Sequence, residues 1–179
     1  MSVRIARLTE ETMDDFFRLH SDANGHGWCF CVAWWTRTWE GWGERKAEQN
    51  RMLRIALRKR SHFDGFLYYD GDAPVGWVQV GERDRLFKLI GQYGLDPEPQ
   101  THAITCLFIA PSHRRRGVAT ALVREVVERL RAEGVKRVEA FPRRHTDDPW
   151  TGPESMYAAL GFRVARDDPE RPVMALELQ

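Results

Sequence analysis

The segment Ile109–Thr120, which reads IAPSHRRRGVAT, holds the residues best suited to binding an anion. The apolar run 102–109 ends at Pro111, and three arginines and Gly117 then lead into a segment with helical periodicity. The first N–H groups of a helix lack intrahelical partners, and small residues such as Gly117 and Ala119 let an anion approach them closely. Arginine adds charge and forked donors. The segment predicts a diphosphate site, although neither common glycine-rich nucleotide motif occurs; a solvated basic turn is the alternative.

A second group of reactive and aromatic side chains lies in residues 24–43. Five of the seven tryptophans fall between 28 and 42, beside Cys29 and Cys31. The indoles either plug one end of a sheet or wall a small-molecule pocket, because such pockets are mainly apolar and aromatic. A zinc site would need further ligands at no recognised spacing, drawn from Cys106, His20 or His26. We therefore expect no metal and free thiols.

The composition excludes several classes of protein. The 27 basic and 26 acidic side chains give a net charge of +1, which argues against a protein that coats nucleic acid. A 42 % hydrophobic content can form a core without disulfides. No apolar run approaches the ~18 residues of a membrane span, and the N-terminus lacks the apolar region of a signal peptide. The sequence predicts one domain, 1–179, in the cytoplasm and without membrane attachment.

Hydrophobic periodicity predicts the elements that position these groups. We expect strands at 3–8, 66–69, 75–80, 102–109, 136–141, 162–166 and 173–178. We expect helices at about 9–23, 44–60 and 117–133, and a short helix that opens with a Thr151-x-x-Glu154 capping box and closes at Gly161. Residues 83–100 are predicted to form a connecting loop. This order indicates a mixed α/β fold with a parallel strand–helix–strand unit at its centre.

Two motifs resemble those of a known family. Leu107-Phe108-Ile109-x-Pro111-x-x-Arg114-x-x-Gly117-x-Ala119 resembles the acyl-coenzyme A-binding motif R/Q-x-x-G-x-G/A of the GNAT superfamily of N-acetyltransferases. Downstream, Tyr157-Ala158-Ala159-Leu160-Gly161-Phe162 is similar to the signature Y-x-x-x-G-F of the same superfamily. The resemblance covers about residues 102–164. It implies an α/β (α+β) fold with a mixed, mostly antiparallel sheet and helices on both faces.

The resemblance also implies a role for individual residues. Backbone groups of Leu107, Phe108 and Ile109 would pair with the pantetheine arm of acetyl-CoA. The pyrophosphate would be cradled by Arg114, Arg115, Arg116, Gly117, Val118, Ala119 and Thr120. Tyr157 would protonate the departing thiolate, and residues 24–43 would shape the acceptor side. The sequence departs from many relatives, which carry an Asn where Phe141-Pro142 stands and a carboxylate or His where Ala103 or Thr105 stands.

Acetylation of an amine by direct attack has three chemical needs. The ammonium, with a pKa of about 10, must lose a proton. The oxyanion needs a fixed donor, such as a strand N–H at Phe108 or Ile109. The leaving thiolate needs a proton, and Tyr157 can supply it because its phenol is protonated at physiological pH. The alternative role for Tyr157 is packing beside Met156 and Leu160.

The general base stays open at this point. Strand alternation places 103, 105, 107 and 109 on one face and 102, 104, 106 and 108 on the other. His102 then lies on the wrong face, unless a bulge intervenes. Glu82 and Glu139 are either the general base or charges that are solvated or paired for structural reasons. Thr105 could hold a water that relays the proton.

These observations lead to one main hypothesis and two rivals. The main hypothesis is an acetyl-CoA-dependent N-acetyltransferase that acts on a primary amine of a small molecule or peptide, as a monomer or a homodimer. One rival is a non-catalytic acyl-CoA-binding domain. The other is a nucleic-acid-binding module that uses Arg114–Arg116 and the cluster Arg143-Arg144-His145, although the near-neutral charge makes nucleic acid a poor partner.

Overall fold

The computed structural model describes residues 2–21, 28–60, 64–146 and 150–178. The strands are β1 (Val3–Arg7), β2 (Asp64–Asp70), β3 (Ala73–Glu82), β4 (Thr101–Ile109), β5 (Arg137–Ala140), β6 (Arg163–Arg166) and β7 (Val173–Glu177). The helices are α1 (Met13–Ser21), α2 (Ala47–Lys59), α3 (Phe87–Tyr93), α4 (Val118–Ala132) and α5 (Glu154–Ala159). No helix within these ranges is long and apolar enough to cross a membrane.

The strands form a single sheet in the order β1-β2-β3-β4-β5-β7-β6. Every neighbouring pair is antiparallel except β4 and β5, which run parallel and are joined by α4. A parallel pair needs a crossover connection, and the helix provides it. The predicted fold class, with its central parallel strand–helix–strand unit, is confirmed.

Helices cover both faces of the sheet. On one face, the apolar stripe of α4 buries Leu122, Val126 and Leu130 against the strands and against residues of α5. On the other face, Phe16 of α1 packs edge to face on Trp77 of β3, with ring centroids 4.7 Å apart. The burial of each such side chain stabilises the folded state by about 1.5–3 kcal/mol. The sheet is therefore held from both sides.

Two local predictions were wrong. The predicted loop 83–100 contains α3. Its buried residues Leu89 and Tyr93 lie four positions apart, on one face of the helix, and Leu86 just before the helix is buried as well. A helix of seven residues shows too little periodicity for this face to stand out. The predicted capping box is also absent, since α5 begins at Glu154 after Pro153 and no described side chain caps it.

The alternation predicted along β4 was wrong as well. Cys106 pairs with Gln79 of β3, whereas Ile104 pairs with Val80, so Thr105 is an extra residue in the register. A bulge of this kind re-aims side chains. Ile104 and Leu107 join the core beneath α4, while Thr105 and Cys106 both face a cavity on the other side.

Candidate functional site

The first cavity lies where β4 leads into α4. Its volume is about 370 Å³, and its lining includes Leu107–Ile109, Arg114, Arg115 and Gly117–Thr120. Of the residues predicted to bind the cofactor, Arg116 alone does not line it; its side chain is exposed. The sequence motif therefore folds into a concave surface with the arginines at its edge.

The turn before α4 leaves backbone donors open to this cavity. Arg115 and Gly117 have φ angles of +58° and +79°, and the left-handed region suits glycine because it has no Cβ. The first helical bond runs from the Ala121 N–H to the Gly117 carbonyl at 2.9 Å, so the N–H groups of residues 118–120 have no intrahelical acceptor. No described side chain caps them. This helix end can therefore bind an anion.

The arginine that opens the motif is fixed by the strand. Nε of Arg114 donates to the carbonyl of Ile109 at 3.0 Å, so the guanidinium is folded back onto the end of β4. This contact uses one donor and leaves the others of the fork for an anion.

Trp150 lies between a larger cavity and the smaller one at the start of α4, which is named the cofactor cavity after the ligand predicted for its sequence motif. Its carbonyl accepts a hydrogen bond of 2.7 Å from the N–H of Leu107, and its indole stacks on Phe108 with ring centroids 5.4 Å apart and an interplanar angle of 16°. Trp150 lines both cavities. The Leu107 N–H, which the sequence resemblance assigns to the pantetheine arm, thus has a partner within the chain here.

Tyr157 is fully buried beside this junction. Its hydroxyl donates to the carbonyl of Thr151 at 2.8 Å. Burial raises the pKa of the phenol well above its ordinary value, so the group is protonated. A Cβ built on Gly152, which lines the cofactor cavity, would lie 3.1 Å from the Tyr157 hydroxyl. The phenol is therefore one small residue away from the cofactor cavity without lining it.

The larger cavity, of about 720 Å³, is largely aromatic. Its lining includes Trp28, Trp34, Trp39, Trp42 and Trp150. Trp35 instead packs against the buried core. Four of the five tryptophans of this segment thus wall a pocket, while residues 24–27, including His26, lie outside the described residues.

Two buried polar groups face the larger cavity. The Thr105 hydroxyl and the Gln79 side-chain carbonyl have no hydrogen-bond partner among the described residues, and both side chains are more than nine-tenths buried. Leaving such groups unpaired costs about 1–3 kcal/mol each, so a ligand that bonds to them gains affinity. Gln79 was missed in the sequence, although a polar residue within the apolar run of β3 was a visible signal.

The other groups considered as a general base are placed elsewhere. Glu82 pairs with Arg85 at 2.6 Å on the surface. Glu139 is buried between Arg83 and Arg137, at 3.0 Å from each. His102 does not line the cavity. Of the four candidates, Thr105 alone faces the larger cavity.

The structure brings together three of the residues considered as metal ligands. Sγ of Cys31 lies 3.1 Å from Sγ of Cys106 and 3.4 Å from Nε2 of His20. Within the described ranges, however, no group of three or more His, Cys, Asp or Glu side chains is arranged to hold a metal ion.

The second basic cluster, Arg143-Arg144-His145, is divided between two structural roles. Arg144 donates twice to Glu154 at 2.8 Å and once to Asp167 at 2.7 Å, so its charge is neutralised within the chain. Arg143 lines the larger cavity. This arrangement does not form a continuous surface for phosphates.

The chain is similar to known proteins in sequence and in structure. The profile described as "Acetyltransferase (GNAT) family" matches residues 13–162. No curated protein sequence matches the chain significantly. An N-acetyltransferase from Staphylococcus aureus Mu50 is similar in structure, with a TM-score of 0.64, 13 % identity and 100 % of each chain covered.

Two further solved structures are similar. The ribosomal-protein-S18-alanine N-acetyltransferase from Escherichia coli has a TM-score of 0.62 and 14 % identity, with 99 % of this chain and 95 % of that chain covered. The PaiA N-acetyltransferase from Thermoplasma acidophilum, in complex with coenzyme A, has a TM-score of 0.62 and 14 % identity, with 99 % of each chain covered. At these identities the likeness concerns the fold.

Proposed function

Because the chain belongs to the GNAT family of acetyltransferases, we propose that it moves an acetyl group from acetyl-CoA to a primary amine of a small molecule or peptide, in the cytoplasm. The observation that carries this proposal is the pair of cavities that meet at Trp150. One is lined by open helix N–H groups and arginines, and the other by aromatic side chains and two buried polar groups without described partners.

The smaller cavity has the chemistry that a coenzyme A diphosphate needs. The N–H groups at the start of α4 and the guanidinium groups of Arg114 and Arg115 would bind the pyrophosphate. The pantetheine arm would extend along Leu107–Ile109 towards the larger cavity, and the Leu107 N–H would exchange its bond to Trp150 for one to the arm. The same type of ligand is present in the Thermoplasma acidophilum enzyme.

The larger cavity would receive the acceptor amine for direct attack in a ternary complex. The amine nitrogen would form a bond to the thioester carbon, and a strand N–H at Phe108 or Ile109 would stabilise the oxyanion. A water held by Thr105 would relay the proton from nitrogen to the solvent. As the carbon–sulfur bond breaks, the Tyr157 hydroxyl would exchange its bond to the Thr151 carbonyl for one to the sulfur and give its proton to the thiolate, and the solvent would then reprotonate the phenol. The similar Escherichia coli enzyme is described as acting on a protein alanine, which makes peptide amines part of the test.

A second candidate function is acyl-CoA binding without turnover. It is favoured by the positions of Glu82 and Glu139, which are paired to arginines and face neither cavity.

The experiment is a transfer screen with the purified chain and acetyl-CoA. Release of the coenzyme A thiol and the mass of the acetylated product are measured with amino acids, polyamines, aminoglycosides and peptides. We expect at least one class to raise thiol release above the acceptor-free rate and to give a product heavier by one acetyl group. Binding of coenzyme A without transfer across the panel would overturn the enzymatic proposal in favour of the binding domain.

A further inference from the structure

Two cysteines from distant parts of the chain are in contact on the wall of the aromatic cavity. Cys31 follows α1 and is almost fully buried, whereas Cys106 lies on β4 next to the extra residue Thr105. Their sulfur atoms are 3.1 Å apart, and both side chains line the cavity. A small solute that enters the cavity can therefore reach both sulfurs.

A histidine and an arginine polarise this pair. Nδ1 of His20 lies 2.9 Å from the carbonyl of Phe16, which can only accept, so Nδ1 carries a proton and Nε2 faces Cys31. The guanidinium of Arg54 is buried in the same core. Nε2 is therefore an acceptor that can take the Cys31 proton, which leaves a thiolate beside a His20 imidazolium and near the charge of Arg54.

The acidities of the two thiols differ in the direction that this geometry implies. Burial raises the pKa of the Cys31 thiol, but the hydrogen bond between Cys31 and Cys106 and the charges of His20 and Arg54 outweigh it, so the net pKa lies below the ordinary value. The hydrogen bond to Cys31, followed by burial, raises the pKa of Cys106. One sulfur is thus the nucleophile, and its neighbour is a protonated thiol within reach.

We propose that Cys31 and Cys106 form a dithiol site that reacts with hydrogen peroxide and closes reversibly to a disulfide. The Cys31 thiolate attacks one peroxide oxygen, the O–O bond breaks, and the products are a sulfenic acid and hydroxide, which is protonated to water. The Cys106 sulfur then attacks the Cys31 sulfur, the S–O bond breaks, and the oxygen leaves as a second water with the Cys106 proton. Two thiols are oxidised by two electrons, and one peroxide is reduced.

Cys29 provides an internal control within the same cavity. Its side chain also lines the pocket, but burial, with a contribution from Cys31, raises the pKa of its thiol to about 12. Cys29 is therefore protonated at neutral pH and reacts slowly, because the thiolate is the nucleophile. Access through the cavity does not distinguish it from Cys31, so a difference in reactivity reports the surroundings of each sulfur.

The test is peroxide treatment of the reduced full chain, followed by thiol titration and peptide mapping under non-reducing conditions. We expect two of the three free thiols to be lost, a single cross-link that joins Cys31 to Cys106, and full recovery with dithiothreitol. Cys29→Ser should form the same cross-link. Cys106→Ser should instead accumulate a sulfenic acid at Cys31, trapped by dimedone, because the second sulfur is missing.

Several results would overturn the proposal. One is the retention of all three thiols under peroxide that oxidises a free cysteine peptide. Another is a cross-link that includes Cys29, or dimedone labelling at Cys29 in Cys106→Ser. The map of the unmodified chain decides the question even if a variant fails to fold. Loss of acetyl transfer is not the readout, so this test is independent of the proposed function.

Discussion

Replacing Tyr157 by phenylalanine separates a proton donor from a packing residue. The change keeps the ring, which packs edge to face on Phe162 with centroids 5.3 Å apart, and removes the hydroxyl that donates to the Thr151 carbonyl. Two effects are expected, one on stability and one on turnover. They have different sizes and different causes.

The stability effect follows from the buried carbonyl that loses its donor. An unsatisfied buried acceptor costs about 1–3 kcal/mol. For a chain of this length each kcal/mol lowers Tm by roughly 2–4 °C. We therefore expect a moderate decrease in Tm, well within the stability of a typical domain, so that the variant stays folded at assay temperature. The loss of the general acid should lower kcat by about 10- to 1,000-fold with little change in coenzyme A affinity.

The assay is single-turnover acetyl transfer with the amine identified by the screen, because slow product release would mask the chemical step. Tyr69→Phe is the matched control. Tyr69 is also fully buried, and its hydroxyl donates to Asp15 at 2.7 Å, but it lines neither cavity. It should lose similar stability and keep the wild-type rate. If Tyr157→Phe reacts as fast as Tyr69→Phe, Tyr157 is a packing residue and the catalytic role is refuted.

Three further predictions concern the cofactor cavity, the α5 ion pair and the acceptor cavity. Changing Arg114 and Arg115 together to alanine should weaken the binding of coenzyme A by roughly 10- to 100-fold in calorimetry and leave the binding of phosphate-free pantetheine unchanged. Arg116→Ala should change the affinity for neither ligand. An equal loss of coenzyme A affinity in Arg116→Ala would contradict the assignment. The guanidinium of Arg144 lowers the pKa of Glu154. At pH values above the ordinary glutamate pKa, the wild type should therefore have a slightly higher Tm than Glu154→Gln. Measured against pH, this difference in Tm should vanish as acid protonates the carboxyl in the folded state. Thr105→Val should not lower Tm, because its hydroxyl has no described partner, but it should slow transfer without changing coenzyme A affinity; an unchanged rate would exclude Thr105 from the reaction.

The sequence predicted best those features that depend on residues close together in the chain. The strand, turn and helix from 102 to 133 follow from one apolar run, one proline and one helical stripe, so these elements and the junction between them could be located in advance. The short helix α3 escaped because its seven residues carry little periodicity. The predicted capping box failed because the Glu154 carboxylate bonds Arg144, ten residues earlier in the chain.

The acceptor side could not be derived in this way because it depends on contacts between distant segments. The extra residue at Thr105 arises from the register between β3 and β4, and a shift of one residue reverses which side chains face the cavity. The approach of Cys31 to Cys106 spans 75 positions in the chain. Local patterns carry no information on such pairings. Thr105 was named from the sequence, but its place beside Gln79 and the contact between Cys31 and Cys106 emerged only from the fold.

The central claim is that the start of α4 binds the diphosphate of coenzyme A. Gly117 and Gly134 flank this helix with φ angles of +79° and +81°, and a Cβ at either position would meet no atom within 4 Å. Gly117→Glu and Gly134→Glu therefore carry the same backbone strain, about 1–2 kcal/mol, but only the first places a carboxylate in the cofactor cavity.

Calorimetric titration of coenzyme A into the wild type and both variants tests this claim most directly. We expect binding to the wild type and to Gly134→Glu, and no measurable binding to a folded Gly117→Glu. Equal affinity in all three proteins, or no binding to the wild type, would contradict it.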